Sequence, residues 1–241
     1  MRVIENVKIA LDTYKMVLQP TGLESEKLKT LVPGQFINIK IDGFYLRRPI
    51  SIADWNDESL TIIYKVVGKG TQALSEMESG IKLDILWPLG NGYNLTWIPN
   101  SAILIGGGVG VPPMFGLAKK LVEEGKKPRI ILGFREKNQV FYDDEFRKLG
   151  LEVTVYTEDG SYGEKGFVTN GFNQAEYVCA CGPERMLEAI YHKAQDGQYS
   201  FEARMACGFG GCMGCSCETL VGNKRICKEG PVLVHKELLW Q

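Results

Sequence analysis

Short runs in which hydrophobic and polar residues alternate dominate the first 98 residues. Examples are VKIALD at 7–12, QFINIKI at 35–41 and LTIIYKVV at 60–67, with turn residues between them. Short strands at this spacing are typical of a small antiparallel barrel or sandwich. We therefore expect a β domain over 1–98, with one short helix at Gln72–Glu78.

From residue 99 to 199 buried strands alternate with helical segments. Strands are predicted at 102–105, 129–134, 152–156 and 177–180, and helices through Lys119–Leu121, at 143–149 and at 184–195. This alternation predicts a parallel sheet with covering helices, as in a Rossmann-like nucleotide-binding domain. The expected fold class is thus β plus α/β.

Cysteine and glycine dominate residues 200–241, which end with a predicted strand at 231–234 and a helical tail at 236–240. About 40 residues are too few for an independent core. We expect this third domain to depend on a metal or on the neighbouring domain.

Composition narrows the class of protein. The 241 residues are 44% hydrophobic and 24% charged with a net charge of −1, which indicates a globular chain without a basic surface for nucleic acid. The start lacks the pattern of a signal peptide, and the apolar runs are too short to span a membrane. We expect a cytoplasmic protein, in which clustered cysteines are metal ligands or redox groups.

The cysteines follow a spacing with chemical meaning. Cys207, Cys212 and Cys215 are spaced C-x4-C-x2-C, and Cys227 follows at a distance, which is the plant-type pattern for an iron–sulfur cluster. Intervening glycines allow the backbone to approach sulfur. A zinc knuckle or packed thiols are the alternatives. Cys217 is a surplus thiol that could replace Cys215, and neither it nor Cys179 receives a role.

Glycine-rich turns follow two predicted strands. The first, GGGVGVPP at 106–113, would present free backbone N–H groups to a phosphate, and a tight turn without a ligand is the alternative. The second, Cys181-Gly182-Pro183, stands where ligands bind in an α/β sheet. Cys181 could equally be a buried structural thiol.

Arg47-Arg48-Pro49-Ile50-Ser51 lies next to a strand of the β domain. An arginine can grip a phosphate with its planar fork, and a serine can bond a ring nitrogen. A solvated arginine pair on a strand edge is the alternative.

In chain order these features resemble the ferredoxin–NADP reductase superfamily with an iron–sulfur extension. The similarity narrows to the electron-transfer subunit of type B dihydroorotate dehydrogenase. The resembling strings are LRRPISIAD, TIIYKVVGKGT, WPLGNGY, GGGVGVPP, GFREKNQVFYDDEF, EDGSYGEKGFVT, CGPERM, EARMACGFGGCMGC and RICKEGPV.

The resemblance implies roles for individual residues. FAD would be bound by Arg48, Pro49, Ile50, Ser51, Ile63, Tyr64, Lys65, Gly70 and Thr71. NAD would be bound by Gly107, Gly108, Gly110, Cys181, Gly182 and Pro183, with Cys181 near the nicotinamide. A 2Fe–2S cluster would be held by Cys207, Cys212, Cys215 and Cys227.

The resemblance also implies a partner. Flavin can join one-electron transfer by a cluster to two-electron transfer by nicotinamide. A separate FMN-containing subunit would oxidise dihydroorotate to orotate in pyrimidine biosynthesis, and electrons would pass through the cluster and FAD to NAD⁺. We expect a heterotetramer with two copies of each subunit. A reductase subunit of a hydrogenase or a bifurcating transhydrogenase is the alternative. The sequence does not decide whether the nucleotide is NAD or NADP.

Overall fold

The computed structural model describes residues 1–240, except for the side chains of residues 23 and 176. The N-terminal part is a six-stranded antiparallel sheet with the strand order β1-β2-β5-β4-β3-β6. Its elements are β1 (Arg2–Ala10), β2 (Thr13–Gln19), β3 (Phe36–Ile39), β4 (Arg48–Trp55), β5 (Leu60–Lys65), α1 (Lys69–Ser75) and β6 (Ile85–Leu89). The predicted antiparallel β domain is confirmed.

The two edges of this sheet curl toward each other. Val3 on β1 exchanges backbone hydrogen bonds with Gly80 and Ile81, and Leu83 donates to the carbonyl of Met1, just before β6 begins. Isoleucines and leucines fill the interior, among them Leu18, Ile37 and Ile62, all at 0% exposure. The pairing covers strand edges that would otherwise expose free backbone groups, and it gives the sheet a barrel-like shape.

The second part is a seven-stranded sheet with the strand order β10-β9-β8-β7-β11-β12-β15. Its elements are β7 (Ile103–Gly107), α2 (Val111–Glu123), β8 (Arg129–Phe134), α3 (Asp143–Lys148), β9 (Val153–Thr157), β10 (Glu164–Lys165), β11 (Ala175–Cys181), α4 (Glu184–Tyr191), β12 (Ala194–Ser200) and β15 (Val232–Val234). All pairs are parallel except β12 with β15. The predicted parallel α/β domain is confirmed.

Strand β12 corrects one prediction. The helix expected over 184–195 ends at Tyr191, and residues 194–200 form a strand between β11 and β15. Its sequence AQDGQYS carries no apolar pattern, yet residues 197–200 are buried. Burial of Gln198 is possible because its side-chain amide is satisfied by the backbone of Asn94 and the hydroxyl of Tyr177. The helix expected over 72–78 is also displaced and occupies 69–75.

A buried cluster separate from the barrel interior joins the outside of the barrel, at Ala53 and Ile63, to helix α2 and the second sheet. Helix α2 lies against β4, where a side chain at Gly116 would come within 2.8 Å of the Ala53 carbonyl. Lys119 on the same helix forms a 2.8 Å ion pair with Asp54. This packing fixes the orientation of the barrel relative to the carboxyl ends of β7 and β11.

The cysteine-bearing segment, defined here as residues 201–231, joins β12 to β15. It contains a small hairpin of β13 (Ser216–Cys217) and β14 (Lys224–Arg225). The expected tail at 236–240 is a single 3₁₀ turn over His235–Glu237. No helix in residues 1–240 is long and apolar enough to cross a membrane.

Candidate functional site

A cavity of about 310 Å³ opens between the barrel, the glycine-rich turn and the cysteine-bearing segment. Eight of the nine residues expected to bind flavin line it: Arg48, Pro49, Ile50, Ser51, Ile63, Tyr64, Lys65 and Thr71. The ninth, Gly70, lies beneath Arg48, since a Cβ there would come within 2.3 Å of the guanidinium. The structure therefore brings the whole predicted flavin set together.

Other cavity-lining residues were not predicted. They are Phe36, Val67, Val109, Phe201, Glu202, Ala203, Met205 and Pro231. They come from parts of the chain far apart in sequence, so only the three-dimensional packing brings them to the cavity. Six of them lie within the resembling strings but were given no role: Val67, Val109, Glu202, Ala203, Met205 and Pro231. Phe36 lies in the predicted strand QFINIKI, and Phe201 lies outside every quoted string.

Arg48 is available for a ligand. Its guanidinium stacks 5.0 Å from the Phe44 ring and donates to the Leu46 carbonyl. The neighbouring Arg47 is engaged instead in an ion pair with Asp84 at 2.9 Å. Within the described residues, Arg48 has no carboxylate partner, which leaves its charge free to hold a phosphate.

Tyr64 lines the cavity, and its hydroxyl is already engaged in a hydrogen bond. Its OH donates at 2.9 Å to Oδ1 of Asn6, a residue that does not line the cavity. Burial raises the pKa of this phenol well above its usual value, although the bond to Asn6 opposes the effect. Tyr64 therefore stays neutral and gives the cavity wall a fixed shape.

The two glycine-containing turns meet at the carboxyl ends of adjacent strands. Cys181 at the end of β11 is in register with Gly106 at the end of β7. A Cβ on Gly110 would lie 2.1 Å from the Cys181 carbonyl, and one on Gly107 would lie 2.4 Å from the sulfur of Met186. Backbone approach this close requires glycine. Gly108, at φ +52, has open space around it.

Cys181 is a buried thiol beside this turn. Burial raises its pKa to about 12, and the charge of Glu202 adds to the effect, while Ser200 partly opposes it. At neutral pH the thiol is protonated and does not act as a nucleophile. Cys179, two residues earlier on β11, is fully buried, and burial likewise raises its pKa.

A second cavity, of about 420 Å³, adjoins the first. Gly182 and Pro183 line one side, and Cys215 and Cys217 line the other. Residues 201–203 border both cavities. The cysteine-bearing segment thus begins as a wall between the flavin-type cavity and the space beside the C-G-P turn.

The four predicted cluster ligands lie as two pairs. The Sγ atoms of Cys207 and Cys212 are 3.5 Å apart. Cys227 donates its backbone N–H to the Sγ of Cys215 at 3.5 Å. Within residues 1–240, no three potential ligands are already grouped around one metal position.

Backbone N–H groups lower the pKa of the Cys207 thiol. Burial raises its pKa, but hydrogen bonds from the N–H groups of Cys212, Phe209 and Gly211 outweigh burial and lower the pKa to about 6. By contrast, burial and the neighbouring Cys215 raise the pKa of Cys227 to about 12. N–H groups that already point at sulfur are suited to hold a thiolate.

This arrangement fits a dinuclear cluster. A 2Fe–2S core takes four thiolates, two on each iron, and the chain presents its ligands two by two. Arg225 stabilises the turns between them by donating to the Gly210 carbonyl at 2.6 Å and pairing with Glu229. Cys217 lies outside both pairs, and its thiol contacts the Glu218 carbonyl.

Comparisons with known proteins agree with this site. Residues 202–239 match the iron–sulfur cluster binding domain of dihydroorotate dehydrogenase B, and residues 104–192 match the oxidoreductase NAD-binding domain. The solved structure of an NADH-dependent reduced ferredoxin–NADP oxidoreductase is similar, with a TM-score of 0.87, 30% identity and coverage of 99% of this chain and 89% of the other. The predicted C-terminal iron–sulfur domain is thereby confirmed.

Two curated relatives match over nearly the whole chain. Both are named as the electron transfer subunit of dihydroorotate dehydrogenase B (NAD(+)). The protein of Fusobacterium nucleatum is 44% identical over 97% of this chain and 95% of its own length. The protein of Bacillus pumilus is 39% identical over 98% and 96%. With the cysteine pairs, the flavin-type cavity and the paired glycine turns in one molecule, the chain belongs to the family of dihydroorotate dehydrogenase B electron-transfer subunits.

Proposed function

We propose that this chain carries electrons from a dihydroorotate-oxidising partner subunit through a 2Fe–2S cluster and FAD to NAD⁺. The proposal names NAD⁺ rather than NADP⁺ as the acceptor because the curated relatives carry NAD(+) in their names. Nicotinamide accepts two electrons as hydride, a cluster transfers one at a time, and flavin can do both.

One observation carries this proposal. The cavity lined by the flavin-binding residues is also lined by Val109 of the glycine turn and by residues 201–203 and Met205, just before Cys207. The predicted flavin site therefore lies beside the glycine turn and beside the chain that leads to the first cysteine. Neighbouring sites of this kind are what transfer between three redox groups requires.

The residues of the chain bind and orient rather than react. Arg48 would hold the FAD phosphates, and Ser51 would lie near the flavin ring. Gly107, Gly108 and Gly110 would accept the dinucleotide, with Gly182 and Pro183 beside it. The neutral thiol of Cys181 offers packing and a weak hydrogen-bond donor next to the nicotinamide. Positioning is the main contribution of the protein.

We further propose that the partner is an FMN-containing catalytic subunit, and that two copies of each subunit form a heterotetramer. The relatives are named as one subunit of a larger enzyme. Phe209, between Cys207 and Cys212, and Met213, directly after Cys212, are 58% and 60% exposed. Two exposed apolar side chains this close in sequence support a contact surface for the partner beside the cluster, since contiguous apolar patches mark interaction sites. The abundance of unpaired cysteines supports a cytoplasmic location.

The test uses the full chain reconstituted with FAD, iron and sulfide, alone and with its co-expressed partner. We expect flavin and iron–sulfur absorbance, oxidation of NADH with a dye acceptor, and dihydroorotate oxidation only in the complex. A chain without flavin and iron–sulfur bands, or one that oxidises dihydroorotate by itself, would contradict the proposal.

A second candidate is a subunit of an electron-bifurcating oxidoreductase. It is favoured by the similarity to the solved oxidoreductase, which was studied for flavin-based electron bifurcation. Purification of a tagged copy with its untagged partner separates the two. A dihydroorotate-oxidising partner supports the first function, and a partner with further clusters supports the second.

A further inference from the structure

Asn38 is a polar residue buried in a strand of apolar neighbours. It is 1% exposed on β3, whose sequence is FINI. Ile37 and Ile39 point into the barrel core. Phe36, on the opposite face with Asn38, packs in the cluster of buried residues that contains Cys215 and Cys227. The outer face of β3 is therefore covered by the cysteine-bearing segment.

Asn38 contacts the first cluster ligand directly. Its Nδ2 donates to the Cys207 carbonyl at 3.4 Å. A Cβ on Gly208 would come within 2.2 Å of the same nitrogen, and Gly208 adopts φ +76. The backbone at 207–208 is thus pressed against this one amide.

One atom of the same side chain lowers the stability of the fold. Asn38 Oδ1 is buried without a hydrogen-bond partner in the described part of the chain. An unpartnered buried acceptor destabilises a fold by about 1–3 kcal/mol. An isoleucine or valine here would avoid that cost, so the amide has to be useful for a reason other than stability.

The opposite side of Asn38 faces the flavin-binding strand. In the β3–β4 register, Asn38 is paired with Pro49, which lines the flavin-type cavity. Arg47 donates to the Asn38 carbonyl at 3.4 Å. One residue therefore connects a cluster ligand to the strand that binds FAD.

We propose that Asn38 is a positioning residue for transfer between the two redox groups. It holds the Cys207 end of the cysteine-bearing segment against β3 and β4, and so fixes the cluster relative to FAD. This inference rests on the proposed function.

The test compares Asn38→Leu and Asn38→Asp with wild type in the full chain loaded with FAD and cluster. Both variants keep the number and branching of the side-chain heavy atoms and lose the amide donor. After mixing with NADH, we expect electron transfer from flavin to cluster to slow by about 10- to 100-fold, the effect typical of outer-shell partners of a metal site. The electron paramagnetic resonance spectrum of the reduced cluster should shift, with FAD content unchanged.

A second readout needs no cofactor. In the apo chain, amide hydrogen exchange over residues 205–212 should be faster in both variants. Asn91→Ala is the matched control, because its Nδ2 donates to the Glu229 carbonyl at 3.3 Å, across the same interface but not to a residue that is itself a predicted ligand. The control should keep the wild-type transfer rate and spectrum.

The outcomes are distinguishable. Wild-type rates, spectra and exchange in both Asn38 variants would overturn the inference and leave the proposed function intact. Loss of iron without faster exchange over 205–212 would also overturn it. A wild-type chain that binds no FAD or cluster would instead refute the proposed function.

Discussion

Arg47 and Arg48 are identical neighbours with different surroundings. The sequence alone left open whether they form a solvated pair or a phosphate site. In the structure Arg47 forms an ion pair with Asp84, and Arg48 lies over Gly70 and lines the cavity. Of two arginines that the sequence cannot distinguish, the one without a carboxylate partner in the described residues is therefore the candidate for binding phosphate.

For Arg48→Ala we expect FAD binding to weaken by about 10- to 100-fold, the value of a lost charge-assisted hydrogen bond. Flavin retained after dialysis, measured by absorbance, reports the change. Arg47→Ala is the control and should keep its flavin. Equal retention in both variants would refute the phosphate role of Arg48.

For Cys212→Ser we expect the chain to keep FAD and lose its cluster, because one of the two thiol pairs is broken. Iron and sulfide analysis gives the readout. Cys217→Ser removes a thiol outside both pairs and should retain iron. Wild-type iron in Cys212→Ser would show that the ligand assignment is wrong.

Motif residues were predictable at this scale, since their chemistry is local. The flavin set, the glycine turns and the cysteines were all visible as strings. Asn38 was not, because its role depends on contact with Cys207, 169 positions away. Nothing in the sequence FINI marks which neighbour it meets.

At the scale of elements, α3 is stabilised by a buried acid at its first position. Asp143 accepts hydrogen bonds from Tyr162 at 2.7 Å and Arg147 at 2.6 Å. Burial raises the pKa of this carboxyl, but the two hydrogen bonds outweigh burial and lower it. Asp143 also suits the positive end of the helix dipole.

A lowered pKa in the folded state predicts a stability contribution that is present above the unfolded pKa, near 3.9, and lost as pH falls through the folded value. We expect Asp143→Asn to lower the free energy of unfolding by about 1–2 kcal/mol at pH 7, since Arg147 is 42% exposed. The deficit should shrink toward pH 3. Urea unfolding at both pH values measures it, and an equal deficit would contradict the assignment.

The elements themselves were predicted unevenly. Strands with apolar or β-branched runs, such as β5 and β8, lie where expected. Strand β12 was missed because it carries no apolar pattern. The side-chain amide of its Gln198 is satisfied by Asn94 and Tyr177, and a Cβ on its Gly197 would come within 2.4 Å of the Val178 carbonyl. The domain boundaries at 98/99 and 199/200 stay predictions, and the structure adds that β15 joins the sheet of the second domain.

At the scale of the whole molecule, the exposed apolar side chains beside the cysteines predict where the partner binds. We expect Met213→Glu to weaken association with the catalytic subunit while the cluster is retained. Co-purification yield and iron content are measured together. Phe167→Glu is the control, as Phe167 is 63% exposed but follows β10 at the far edge of the sheet. Equal loss of partner in both variants would contradict a specific surface.

The cysteine-bearing segment starts and ends on neighbouring strands of one sheet, β12 and β15. Doubling the length of such a closed loop costs only about 0.6 kcal/mol in chain entropy. The length of this segment, and the cofactor that it holds, can therefore change while the strands of the nucleotide-binding sheet stay the same. The fold separates the choice of electron donor from the choice of acceptor.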